Sequence, residues 1–211
     1  MILFNFEVNK NMKNMKRLTL CFIICIGLLI GCKKETGPAT KTENPAKATI
    51  EAGLVVDSVK AIGGTTSFEF GPKLYFSKNG KVTKLGCKIA NTGNFRVSFW
   101  DYTTKDLIAA TTVNITDSTK FTYNDISPIP VTANTRYVIS VNNTSGGVAK
   151  KYWLYVKKSN TTLNDIFPFT TGSVTYEKNL YKFTSTSAFP TDDDFQYGID
   201  GIADLQFEFT E

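Results

Sequence analysis

Five aspartates stand close together near the end of the chain: Asp192, Asp193 and Asp194 in an unbroken run, then Asp200 and Asp204. Hard cations take six to eight oxygen ligands, and carboxylates crowded in a loop are their usual cage. Asp192, Asp193, Asp194 and Asp200 are therefore candidate calcium ligands. Their spacing fits no EF-hand loop, which needs alternating ligands, a glycine at the sixth position and a closing glutamate. The competing reading is a solvated acidic loop ahead of the last strand. Two aromatic pairs form the second set of candidates. Trp100 and Tyr102, like Trp153 and Tyr155, sit two residues apart, which in a strand puts both rings of a pair on one face. Such a face can stack on sugar rings, making these four the candidate ligand-binding residues, or it can simply cover part of a sheet.

Enzymatic chemistry has little to work with. The chain contains no histidine, which removes His-assisted serine hydrolysis, His-ligated zinc and the usual proton shuttle at neutral pH. Cys87, in Leu85-Gly86-Cys87-Lys88-Ile89, shares the apolar side of a period-two pattern and reads as core, with no base to activate it. Glycoside hydrolysis needs two acids about 5 to 9.5 Å apart across a cleft. Asp101, Asp117 and Asp125 fall at turns or strand ends with nothing to single them out. No glycine-rich phosphate loop or dinucleotide fingerprint is present. The expectation is a protein that is not an enzyme and has no cofactor other than the calcium option.

The start of the chain carries an address. The basic residues Lys13, Lys16 and Arg17 precede an apolar run, Leu18 to Ile30, that is too short for a bilayer span of about 20 residues. It has the form of an export signal. The closing Leu29-Ile30-Gly31-Cys32 resembles the bacterial lipobox, and that resemblance implies cleavage before Cys32 and its acylation, palmitate included, as a lipid anchor. Several acyl chains together hold firmly where one does not. Phe4, Phe6 and Glu7 are out of place in a basic leader, so Met12 and Met15 are alternative starts. Lys33 and Lys34, rather than aspartate, follow the cysteine; by the sorting rule of such lipoproteins this favours the outer membrane, with the periplasmic or surface side left open. The formal charge of +5 is mostly leader: without its four basic and one acidic residue, 20 basic residues face 18 acidic ones. Scattered as they are, they make no nucleic-acid face.

The positioning scaffold reads as follows: residues 1–31 are a lipoprotein signal peptide, 32–48 a lipidated flexible tether rich in polar residues and proline, and 49–211 the folded domain. Cys87 is the only thiol left in that domain, so no disulfide staples it. Alternation marks strands: Phe95, Val97 and Phe99; Tyr137, Ile139 and Val141; Leu205, Phe207 and Phe209. Strands are expected near 49–56, 65–70, 73–77, 82–90, 95–102, 107–113, 119–125, 135–142, 151–157, 173–183 and 202–210, with Asn79-Gly80 as a type I′ hairpin turn. This predicts an all-β, antiparallel two-sheet sandwich of jelly-roll or Ig-like kind.

Residues of about 71–156 add a resemblance. Gly80-Lys81-Val82-Thr83-Lys84-Leu85, Phe99-Trp100-Asp101, Leu107-Ile108-Ala109-Ala110-Thr111, Phe121, and the stretch from Pro128-Ile129-Pro130-Val131 to Tyr137-Val138-Ile139-Ser140 resemble an uncharacterised β-sandwich module. That module is a domain of unknown function that recurs in bacterial surface proteins, often beside carbohydrate-active domains. Ser118-Thr119-Lys120 replaces the Gly-Trp-Gln common in such modules, and the resemblance brings no catalytic residues. The address at the start of the chain, with no catalytic signature after it, leads to the expectation of a membrane-anchored, non-enzymatic binding module for glycans or a partner protein of the envelope. The alternatives are a structural or assembly component of the envelope, acting through exposed strand edges, and a glycan-processing accessory or hydrolase.

Overall fold

The period-two alternation is realised as antiparallel pairing at every strand contact among the described residues. The computed structural model describes residues 37–52, 58–159, 162–194 and 196–211, with 58, 59, 158 and 159 by backbone alone. The signal segment and Cys32 lie outside the described residues. The elements are β1 (Thr40–Glu43), α1 (Pro45–Glu51), β2 (Ser58–Gly63), β3 (Phe68–Phe76), β4 (Gly80–Lys88), β5 (Gly93–Asp101), β6 (Leu107–Ile115), β7 (Thr122–Val131) and β8 (Arg136–Asn142). There follow β9 (Thr144–Ser145), β10 (Val148–Ala149), β11 (Lys151–Ser159), β12 (Thr162–Asn164), β13 (Phe169–Thr171), β14 (Val174–Phe183), β15 (Asp192–Asp193), β16 (Gly198–Asp200) and β17 (Ile202–Thr210). The fold is an all-β sandwich of open antiparallel sheets.

One sheet runs β13-β14-β3-β8-β5-β6, with β15 added to β14. Packed against it are the sheet β1-β17-β4-β7 and a smaller one in which β11 pairs with β2, β12 and β16. The core lies between these layers. Leu205, Phe207 and Phe209 are buried on one face of β17, as their alternation requires. The Phe207 ring lies 4.5 Å from Phe76, which lies 5.7 Å from Tyr137, so three rings join the two large sheets. Burying one such ring stabilises the fold by about 1.5–3 kcal/mol. Gly201, at φ +38°, is where the chain leaves the small sheet and enters β17; a Cβ there would fall 1.6 Å from the Phe70 ring.

Four sequence expectations are corrected. Residues 40–48 are not tether: β1 pairs with β17, and α1 docks beside it. The segment is held by backbone pairing and carboxylates, with Ala46 and Ile50 as its apolar contacts to the core, which is why its polar composition concealed it. Asp204 accepts the N–H groups of Ala46 and Lys47, each at 3.0 Å, supplying the cap that the Asn44 side chain does not. Glu43 accepts the N–H of Ser173 at 2.9 Å. Second, the expected strand at 49–56 is helix through Glu51, continuing from Pro45, a residue suited to a first helical turn.

Third, the expected strands 65–70 and 73–77 are one, β3, running straight through Gly71-Pro72. The glycine is there because a Cβ would meet the Ile139 carbonyl oxygen at 2.0 Å, and not as a turn. Fourth, Asn79-Gly80 is no hairpin. It carries the chain from β3 in one sheet to β4 in another, and neither residue takes positive φ. The Asn79 carboxamide instead accepts the N–H of Ala133 at 2.8 Å, and a Cβ on Gly80 would meet the Glu208 carbonyl at 2.3 Å.

Candidate functional site

At one end of the sandwich, alternation places four rings on a single face. Phe68 and Phe70 of β3 stand opposite Phe183 and Tyr181 of β14, as directly paired residues. Cross-strand aromatic pairs of this kind attract through their ring edges and faces. The Phe68 and Phe183 centroids are 4.9 Å apart, and Tyr152 of β11 closes the group 4.7 Å from Phe70. These five rings line a hollow of about 310 Å³. Phe183 is 62% exposed at its rim, whereas Phe70 is buried at its floor.

The remaining wall is acidic, made by Asp193, Asp194 and Asp200. Asp193 lies in β15 opposite Leu180 and is paired with Lys178. Asp194 accepts a hydrogen bond from the Asn179 carboxamide at 3.1 Å. Asp200, only 6% exposed, comes from β16 opposite Leu154, and its Oδ1 has no hydrogen-bond partner among the described residues. Burial, and after it the hydrogen bond to Asp194 and that residue's charge, hold the Asp200 carboxyl well above the usual carboxylate range. Burial together with the Asp200 and Asp194 charges also raises the Tyr152 phenol. The arrangement offers flat apolar faces at the rim and hydrogen-bond acceptors on one wall, a pattern suited to a ring-shaped ligand with polar edges.

The acidic run is therefore divided rather than gathered. Asp192 and Asp193 are exposed neighbours on a strand, and Asp192 accepts the Thr191 hydroxyl at 3.2 Å. Among the described residues no three acids are placed to hold a metal ion. Pairing of β15 with β14 spreads Asp192 and Asp193 along an edge, and the calcium option finds no cage among the described residues.

The four aromatics singled out by spacing do not form a platform. Trp100 is 4% exposed, since Phe189 crosses it edge-on at 6.0 Å and its indole N–H donates to Ser140 Oγ at 2.8 Å. Ser140 in turn donates to Glu69 at 2.6 Å, and Arg96 pairs with the same buried carboxylate. Tyr102 is half-buried with the Lys73 ammonium 4.1 Å from its ring centroid. In another sheet, Trp153 donates its indole N–H to the Ser118 carbonyl at 3.0 Å, and Tyr155 is buried. The outer face of the large sheet is covered by the chain beyond β14, which a strand pattern cannot show.

The three acids expected at turns or strand ends have structural partners, and Asp125 lies within β7. Asp101 accepts the N–H groups of Thr103 and Thr104 at 2.7 and 2.9 Å. Asp117 accepts both the N–H and hydroxyl of Thr119, which lower its pKa to about 2. Asp125 pairs with Lys84 at 2.9 Å. Sequence reasoning passed over Phe68, Phe70, Tyr181 and Phe183. Their signal was present as two aromatic i, i+2 pairs, but without pairing partners they read as ordinary strand core.

Comparison with the curated proteins finds no match. The model of one family, a domain of unknown function designated DUF4082, matches residues 55–198. That span holds the five rings and two of the three acids of the hollow, with β17 beyond it. Covering well over half of the sequence, the match makes this chain a member of the DUF4082 family.

Proposed function

We propose that the chain is a non-enzymatic binding module of the bacterial envelope, held to the outer membrane by acyl groups on Cys32, and that its ligand is a glycan bound in the aromatic hollow. The observation that carries this reading is the hollow itself: the exposed Phe183 ring, with half-buried Phe68 beside it, for the apolar face of a sugar, and carboxylates at its edge for hydroxyls. The lipobox resemblance at Leu29-Ile30-Gly31-Cys32 supports the anchoring. Among the described residues no helix is long and apolar enough to cross a membrane. A glycan array probed with the full chain and with Phe183→Ala tests the reading. Binding to a defined glycan set that falls at least tenfold in the variant supports it; the same binding in both, or none in either, removes the hollow as a sugar site. Incorporation of labelled palmitate into the wild type but not into Cys32→Ser tests the anchor.

A second reading has one observation in its favour. β6 is an edge strand of the large sheet, and its first residues, Leu107 and Ile108, are exposed. That edge suits strand addition by an envelope partner. Chemical crosslinking from position 108 in native membranes separates the two.

A further inference from the structure

We infer that the hollow selects a sugar bearing a free amine, a glucosaminyl unit, over neutral, N-acylated or acidic sugars; the inference rests on the glycan reading above and gives that site its ligand class. Three features of the wall converge on a cation. Asp193, Asp194 and Asp200 line the space, and among the described residues no lysine or arginine does. The Lys178 ammonium is held by Asp193 and is not part of the lining. The other walls are aromatic faces, whose negative quadrupole attracts a cation within about 6 Å of the ring centre.

Asp200 makes the choice of group more specific. Its side chain belongs to the lining of the hollow, and its buried Oδ1 has no hydrogen-bond partner among the described residues. An unsatisfied acceptor of this kind is costly, and a ligand that supplies a donor recovers that cost on binding. An ammonium brings three donors and no acceptor. An acetamido carbonyl or a uronate carboxylate would instead set an acceptor, or a second negative charge, against an acidic wall, and is rejected for that reason. The rim explains why the amine belongs to a sugar: Phe183 presents an exposed ring, with the half-buried Phe68 beside it, that a small free amine has no surface to cover.

The test is titration calorimetry of the full chain in detergent micelles with four probes: a β-1,4-linked glucosamine tetramer, its fully N-acetylated form, a glucose tetramer and a galacturonate tetramer. The glucosamine tetramer should bind at least tenfold tighter than each of the others. Asp200→Asn should remove that preference while leaving the glucose tetramer within about twofold, and Phe183→Ala should weaken every sugar. Thermal melts establish that each variant folds; if Asp200→Asn does not, Asp193→Asn and the four-probe comparison in wild type still decide. Equal or tighter binding of the acetylated or neutral tetramer, still sensitive to Phe183→Ala, overturns the amine preference and leaves the glycan site standing. Failure of every sugar overturns both, and so does binding of a lysine pentapeptide in the absence of any sugar binding.

Discussion

Asp204 shows how a single buried carboxylate couples structure to proton concentration. It is fully buried and accepts hydrogen bonds from the amides of Ala46 and Lys47 at 3.0 Å, from the Tyr123 phenol at 2.6 Å and from the backbone of Leu205. Burial still outweighs these and pushes its pKa up to about 6. Glu69 and Asp200 are raised for the same leading reason. A carboxyl that holds its proton more tightly in the folded chain than in the unfolded one stabilises the fold at low pH. That contribution is lost as pH climbs from about 4 through about 6. For Asp204 the full interval corresponds to about 3 kcal/mol. The oppositely shifted Glu177, Glu211 and Asp117 withdraw stability only below the ordinary carboxylate range. The melting temperature should therefore rise as pH is lowered from 7 to 5 and turn over below about 4. Asp204→Asn, with no proton to bind, should flatten the 5–7 segment; a wild-type profile that falls monotonically from pH 7 contradicts the assignment. Cys87 obeys the same physics with a different readout. Burial raises its thiol to about 12, so peptide mapping after treatment with a thiol reagent should find it unlabelled in the folded chain and fully labelled in urea.

At the level of elements, β17 is the strand on which the smaller layers depend. It lies between β1 and β4 and carries Leu205, Phe207 and Phe209 into the core. Phe207→Ala should cost about 3–5 kcal/mol in denaturant melts. Truncation from Leu205 onward should leave no cooperative transition, and a soluble truncant that melts sharply would contradict the topology. Beginning the chain at residue 49 removes β1 and the first turn of α1, taking the amide donors of Ala46 and Lys47 away from Asp204. It should lower the melting temperature by several degrees, whereas a true tether would leave it unchanged. The all-β class, the final strand and the buried Cys87 were legible because period-two alternation encodes which face of a strand is covered. Glu43 and Asp204 act across roughly 130 and 158 residues of sequence, and such long-range carboxylate bonds have no local signature. The hollow was illegible for a related reason. Phe68 and Phe183 become one surface only through a β3–β14 register that no local pattern specifies.

On the scale of the whole molecule, the docking of residues 40–51 changes what the proposed anchor can do. Between Cys32 and Thr40 stand the seven residues 33–39, which extend at most about 25 Å. Thr40 pairs with Thr210 at one end of β17, beside Gly80 and Lys81. The other end of β17, at Ile202, follows directly from Asp200 in the hollow, so the site and the attachment point are separated by the length of a nine-residue strand, about 27 Å. A domain on a long tether would tumble and show all sides to the membrane equally. If acyl groups on Cys32 hold the chain to a membrane, a leash this short from the Thr40 end should keep the aromatic hollow on the side away from the lipid. Energy transfer to a headgroup acceptor in vesicles measures this. A dye on Lys78→Cys, at the attachment end, should transfer at least twice as efficiently as the same dye on Ser185→Cys, two residues past the rim ring Phe183. Equal transfer from both positions would mean that the domain reorients freely, and the hollow would then have no preferred direction.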